Sequence, residues 1–369
     1  MSPPRASRKR LAAGTIGVSI AVLVGVIFYS GELLRLSEDQ FAILQRKGTL
    51  QIYCLDVNQA SATLIVTPSH GHAILVDAGG EASGKRLILP ILELIEQING
   101  KNIPKIDLMV ITHYDSDHID GADEVLQNPD HPVAELFDHG DHAHWLPEKN
   151  SDALRDYVHA ATNRAGAYSA IPLNFDRTID GVRIRCLASN GKTRFDPAGS
   201  AFGPDLHDDN PNSVALLISW QGFDFYVAGD QTGETEARIV GQTLPDGHNL
   251  NVDVYHMNHH GSETHGSSGD AFLAMLEPEV AIASNGKHST FKHPHSRPVN
   301  KLLGMGAKVF LLNANPHSPV SISADYVSDD SPSFRDGSLA ICVDTNKQEY
   351  YVLVPELAVS NATFAIETN

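Results

Sequence analysis

The chain's 369 residues, 42% apolar and 20% charged, exclude a disordered polymer and are ample to bury a core. Twenty-seven basic against 45 acidic residues leave a formal net charge of -18, which repels polyanions and anionic membranes unless a bound metal or local basic patch reverses it. Cys54, Cys186 and Cys342 each lie in an apolar, strand-like run with no CxxC, so they read as small buried hydrophobes. One disulfide remains open in an oxidising compartment, and a thiolate zinc site is excluded.

In chain order, Arg5, Arg8, Lys9 and Arg10 precede an uncharged run from Leu11 to Gly31. At 1.5 Å per residue that run matches a hydrocarbon core of roughly 30 Å. It exceeds a typical signal-peptide apolar region, and no A-x-A site follows. The positive-inside rule keeps 1–10 as a cytoplasmic tail and exports the rest, with 11–31 either a single-pass anchor of the cytoplasmic membrane or a cleaved signal releasing a secreted protein. Residues 32–48 read as a short helix or linker, and 49–369 as the globular domain.

Thr63–Thr67 and Ala73–Asp77 flank a turn at Pro68-Ser69-His70-Gly71, which predicts a hairpin. Gly84–Ile98 has helical periodicity, Ile106–Thr112 is a buried strand, and Ala122–Leu126 a helix. Further hairpins turn at Asp180-Gly181 and Gln221-Gly222, and Ser338–Val343 pairs with Glu349–Val354. Residues 138–160 and 188–212, rich in His, Asp, Asn and Gly, read as irregular lids. Strand-rich halves with interposed helices predict an α+β sandwich.

Potential ligands gather at strand ends. The Ile106–Thr112 strand runs into His113-Tyr-Asp115-Ser-Asp117-His118, four ligand types in six residues. Strands over Phe223–Ala228, Val252–Met257 and Val280–Ala283 end in Gly229-Asp230, in Asn258-His259-His260-Gly261-Ser262, and in Ser284-Asn285-Gly286 with His293-Pro294-His295 downstream. If these strands run the same way, all four loops share one edge. Imidazole and carboxylate donors without thiolate suit Zn, Mn or Fe. No G-x-S-x-G elbow is present, which disfavours a covalent serine mechanism.

The H-x-D-x-D-H series at His113–His118 resembles the metallo-β-lactamase superfamily hallmark H-x-H-x-D-H, with Asp115 in place of the second His. The variant is similar to the branch typified by the C-terminal domain of the ComEC DNA-uptake channel. ILVDAGG (74–80), NPNSVALLI (210–218), YVAGD (226–230), NHHGS (258–262) and the later SNGKHSTFKHPHSRPV correspond, as does LDVNQASATLIV except at Asn58, Ala60 and Ser61. The resemblance covers about residues 50–345 and implies an αββα metallo-β-lactamase sandwich holding two divalent ions, Zn or Mn. By it His113 and Asp115 bind one ion, Asp117 and His118 the other, Asp230 bridges, and one of His259 and His260 completes a shell. Asn212 or Ser213 stands where many members carry another His, which leaves the first site weaker or filled through His207. Asp117 would orient the attacking water, His293 contact substrate or protonate the leaving group, and Ser262 and Asn285 contact substrate. Ser262 also suits a helix N-cap. His139, His142 and His144 read as lid or surface residues.

The expected activity is metal-dependent hydrolysis of a phosphodiester, small-molecule or nucleic-acid, because carboxylates dominate the shell. The alternatives are an amide or ester of the cell envelope, such as a lactone or β-lactam, and an inactive binding module. Long DNA would require a basic groove from the 138–160 loop and Arg183, Arg185, Lys192 and Arg194. No obligate protein partner is implied.

Overall fold

The computed structural model describes residues 34, 36–140, 145, 151–197, 208–323, 326–329, 337–355 and 357–366. The basic tail 1–10, the apolar segment 11–31, His142, His144 and His207 lie outside the described residues. Among the described residues no helix is long and apolar enough to cross a membrane.

The first half contributes strands β1 (Leu50–Cys54), β2 (Thr63–Val66), β3 (Ala73–Val76), β4 (Ile106–Val110), β5 (Glu135–Asp138) and β6 (Ala167–Ala170). Next come β7 (Asp176–Ile179), β8 (Val182–Ser189), β9 (Lys192–Thr193), β10 (Ala215–Trp220) and β11 (Phe223–Val227). They are followed by β12 (Val254–His256), β13 (Val280–Ala283), β14 (Lys308–Asn313) and β15 (Val327–Asp329). The chain then returns through β16 (Leu339–Asp344), β17 (Glu349–Leu353) and β18 (Thr363–Ala365). One sheet has the order β18-β17-β16-β1-β2-β3-β4-β5-β6, the other β15-β14-β13-β12-β11-β10-β8-β7 with β9 on β8. Each sheet is antiparallel on one side and parallel on the other, the parallel parts being β3-β4-β5-β6 and β11-β12-β13-β14-β15. All three expected hairpins and the β16–β17 pair form.

Three apolar layers make an αββα sandwich. Leu108 and Val110 of β4 point between the sheets, toward residues such as Ile218, Phe225 and Ile282. Met109 and Ile111 point outward, into a layer shared with helices α1 (Glu38–Leu44), α2 (Leu89–Asn99), α3 (Ser116–Ile119), α4 (Ala122–Leu126) and α5 (Asp152–Arg164). A strand buried on both faces reads as a continuous apolar run, which is how Leu108–Ile111 looks in sequence, with half-buried Asp107 near the start of β4. On the far side α6 (Gly233–Ile239), α7 (Asp270–Leu276) and α8 (Ser296–Met305) cover the second sheet through Ile239, Phe272, Leu273, Val299 and Leu302. Residues read as helix or linker over 32–48 supply α1, whose Phe41, Ile43 and Leu44 are buried in that first outer layer.

Two expectations are corrected. The 138–160 segment is not all irregular: Ser151 caps α5, which buries Leu154, Tyr157, Ala160 and Ala161 on one face. Part of 188–212 likewise continues β8 and forms β9. The three cysteines are free and buried, and burial pushes each thiol up to about 12, so they behave as inert apolar side chains.

The carboxyl ends of β4 and β11 meet across the sandwich. Gly229, just past β11, has φ +51°, and a Cβ there would lie 2.2 Å from Thr112 Oγ1. Left-handed backbone and close approach both demand glycine. Gly229→Ala should cost about 2–4 kcal/mol in urea or thermal unfolding; unchanged stability would contradict this packing.

Candidate metal centre

After β4 the backbone stays extended to Asp115 (φ -73°, ψ 145°) and then winds into the single turn of α3, which carries Asp117 and His118. The loop after β11 brings Asp230. The loop after β12 turns tightly, with His259, His260 and Gly261 all at positive φ (54°, 55° and 80°). Backbone this unfavourable persists only where its surroundings hold it. Here buried Asn258 donates to Glu236 Oε1 (2.7 Å), and Glu236 also accepts from the Ser268 and Gly269 amides.

These loops place one ligand atom each from Asp117, His118, Asp230 and His260 within 4.8 Å of one another. His118 Nε2 is 3.2 Å from Asp230 Oδ1, and His260 Nε2 is 3.2 Å from Asp117 Oδ2 and 3.6 Å from Asp230 Oδ1. The far side of each imidazole is fixed. His118 Nδ1 donates to Asp77 Oδ2 at 2.8 Å, and His260 Nδ1 donates to the Ser284 carbonyl at 2.7 Å. Both rings therefore present Nε2 lone pairs to the cluster, the usual preparation of a metal-ligating histidine. Asp77 is held in turn by the Thr112 amide (2.7 Å) and hydroxyl (2.9 Å).

Burial disfavours charge on these groups, but their partners outweigh it. Despite burial, Asp230, Asp77 and Asp117 raise His118 well above the ordinary imidazole range, and Asp230 and Asp117 raise His260. Conversely, His259, His260 and His118 hold Asp230 well below the usual carboxylate range, and His118 and His260 lower Asp117. The buried atoms His113 Nε2, His118 Nε2 and Asp230 Oδ1 nonetheless have no hydrogen-bond partner of good geometry. Orphaned lone pairs converging on one point, in an N/O donor set, fit a divalent cation.

The second expected site is less complete. His113 Nε2 lies 3.5 Å from Asp115 Oδ2, with Nδ1 3.1 Å from Thr112 Oγ1, and its ring centroid is 4.1 Å from that of His118. Among the described residues no third ligand joins this pair to form a second complete group. Asn212 instead donates to Asp209 Oδ1 (2.9 Å), while Ser213 Oγ is buried without a partner. His259 stands beside the cluster, its Nε2 3.5 Å from Asp230 Oδ2.

The residues expected to meet substrate divide. His293 is buried at the rim, its ring stacked at 17° and 6.0 Å on that of His260. Gln59 Oε1 accepts the Gly286 amide (3.1 Å), which orients Gln59 Nε2 toward His293 Nδ1 (3.0 Å). An amide nitrogen only donates, so His293 Nδ1 accepts and Nε2 bears the proton. Burial, then His260, His259 and His295, push the His293 imidazolium down to about 3, so the ring is a neutral donor rather than a cationic acid. Asn285 does not face the cluster with its amide: it donates to the Asn313 carbonyl of β14 (2.8 Å). Ser262 Oγ accepts the Thr264 amide (3.0 Å), a turn-capping role. His139 is not a surface residue, since it is buried against Tyr114 and lies 3.3 Å from Asp209. Of the basic residues expected to line a groove, Arg183 and Arg185 reach Asp176 and Asp246, and Arg194 binds the Leu173 and Phe175 carbonyls.

Sequence reasoning missed Asp77, Gln59 and Asp209 as members of the site. Asp77 had a signal, since it closes β3 just as His113 and Asp230 follow β4 and β11.

A family model for the metallo-beta-lactamase superfamily (Lactamase_B) matches residues 55–286. The chain is 24% identical to ComE operon protein 3 of Bacillus subtilis (strain 168), over 72% of this chain and 32% of that protein. It is 28% identical to Recombination protein 2 of Haemophilus influenzae, over 69% of this chain and 27% of that one. The chain thus spans about a third of the length of these curated relatives. Among solved structures, the metallo-beta-lactamase fold protein YhfI from Bacillus subtilis aligns with 71% of this chain and 96% of its own, at 10% identity and a TM-score of 0.38.

Asp77→Asn should weaken divalent-metal affinity about 10–100-fold in chelator competition, with Asp117 and His260 unchanged; full affinity would remove Asp77 from the site. A cation must displace protons from His118 and His260, whose folded pKa values are raised. Metal uptake should therefore release protons, and affinity should fall as pH drops below those raised values; a flat profile from pH 8 to 5.5 would refute the assignment.

Proposed function

The chain belongs to the metallo-β-lactamase superfamily, and from the ligand set it assembles we propose that it is a metal-dependent hydrolase of phosphodiesters. The observation that carries this is the carboxylate share of the cluster: Asp117 and Asp230 stand with His118 and His260, and Asp115 adds a third carboxylate beside His113. Hard oxygen donors suit ions that handle phosphoryl oxygen. Relatives named for competence and recombination favour a nucleic-acid fragment over a lactam or lactone.

Divalent ions, Zn or Mn, held by Asp117, His118, Asp230 and His260, with His113 and Asp115 as the start of a second site, would supply Lewis acidity toward the scissile group and lower the pKa of an attacking water. The chain's own groups do the rest. Asp117, at the solvent-facing rim, offers a carboxylate oxygen to orient that water. His293 Nε2–H, fixed by Gln59, donates a hydrogen bond where negative charge develops on the leaving oxygen. Asp77 and the Ser284 carbonyl keep both ligating rings in the required tautomer. We place segment 11–31 in the cytoplasmic membrane with the hydrolase domain outside the cytoplasm, on the strength of its uncharged run and basic flank.

Full-length protein reconstituted with Zn or Mn should hydrolyse bis-(p-nitrophenyl) phosphate, and a chelator or Asp117→Asn should abolish turnover. His293→Ala should lower kcat by about 100-fold at unchanged metal content. Folded, metal-loaded protein that leaves this substrate intact but opens a lactone or β-lactam would replace the phosphodiester reading with the ester and amide one.

A further inference from the structure

Beside Asp117 a cleft of about 450 Å³ opens between the 56–60 loop and the 80–87 segment. That is the size of a small-molecule site rather than of a duplex groove. Its wall includes Arg86, an exposed side chain in the turn formed by Gly84–Ile88 ahead of α2. Arg46, Arg177, Arg183, Arg185, Arg238 and Arg297 are all paired with carboxylates. Among the described residues Arg86 has no such pair, so its guanidinium fork is available to an anion entering the cleft. Gln59 lines the same cleft and is the residue that fixes His293, so the space borders Asp117 and reaches the hydrogen-bond donor through Gln59. Three further carboxylates, Asp56, Glu81 and Asp120, also line it.

We propose that this cleft is a single-phosphate subsite, in which Arg86 binds the phosphate next to the scissile linkage. The inference rests on the phosphodiester reading and adds a substrate class to it. One guanidinium shares the cleft with Asp56, Glu81 and Asp120, so the cleft holds one phosphate bidentately and repels a second. Substrates are therefore short chains or chain ends, with one nucleotide unit beyond the bond that breaks.

The test is calorimetric binding of thymidine 3′,5′-bisphosphate and thymidine 5′-monophosphate to the zinc-loaded full chain. Wild type should prefer the bisphosphate by about tenfold. Arg86→Ala should erase that preference while leaving the monophosphate Kd and the melting temperature unchanged, and Arg86→Lys should keep part of it. A thymidine trinucleotide should bind no tighter than the bisphosphate. Absence of the preference in wild type, its survival in Arg86→Ala, or a steady gain with each added phosphate would overturn the proposal. Bis-(p-nitrophenyl) phosphate, which has no second phosphate, is assayed in parallel. Turnover of it without an Arg86-dependent preference overturns the subsite alone. An Arg86-dependent preference without turnover overturns the phosphodiester reading and leaves an anion site.

Discussion

The Asp77 carboxylate organises the centre from behind. It is wholly buried at the end of β3, where it accepts the Thr112 amide, the Thr112 hydroxyl and His118 Nδ1–H. A buried carboxylate is tolerable only when its lone pairs are occupied this fully. Those bonds fix the exit of β4, the close pass of Gly229 over Thr112, and the ring angle of His118. The second sheet answers with a carbonyl, Ser284, and with Glu236 beneath the strained Asn258–Gly261 turn. Each ligating imidazole is thus anchored to the sheet that carries it, and the cluster forms where the two sheets' carboxyl edges meet.

Much of this was legible because the ligand types stand out against apolar strands. β4, β11, β12 and β13 are buried on both faces, so His113, Asp230, His260 and Asn285 appear as abrupt polar stops. That signal locates a residue at the right edge but says nothing of where its side chain turns. Asn285 has the same placement as His260, yet the neighbouring β14 captures its amide through Asn313. Asp77 presents the same abrupt stop as the ligands but points inward, and only the register of β3 on β4 reveals its role. Helix α5 was hidden for a different reason: its buried face is made of Leu154, Tyr157 and two alanines, too weak a stripe to stand out amid His and Asp. The pairing of Gln59 with His293 spans 234 positions, beyond any local pattern.

Arginine–carboxylate pairing shapes the electrostatics of this acidic chain. The arginines nearest a groove-like placement, Arg183 and Arg185, are committed to Asp176 and Asp246, and the chain as a whole is strongly acidic. Positive charge at the centre comes chiefly from whatever cation the carboxylates hold, with Arg86 at its flank.

The four-ligand cluster draws Asp117 and His118 from one half of the sandwich and Asp230 and His260 from the other. An ion bound there would add a tie between halves already joined by the apolar interface and by bonds such as those from the Gly286 amide to Gln59 and from the Val214 amide to the Thr112 carbonyl. Binding to the folded chain alone stabilises it by about 4 kcal/mol at a free-ion level a thousand times the Kd. On that linkage, an ion held by residues from both halves would tie the resistance of the folded chain to unfolding to the free-metal level.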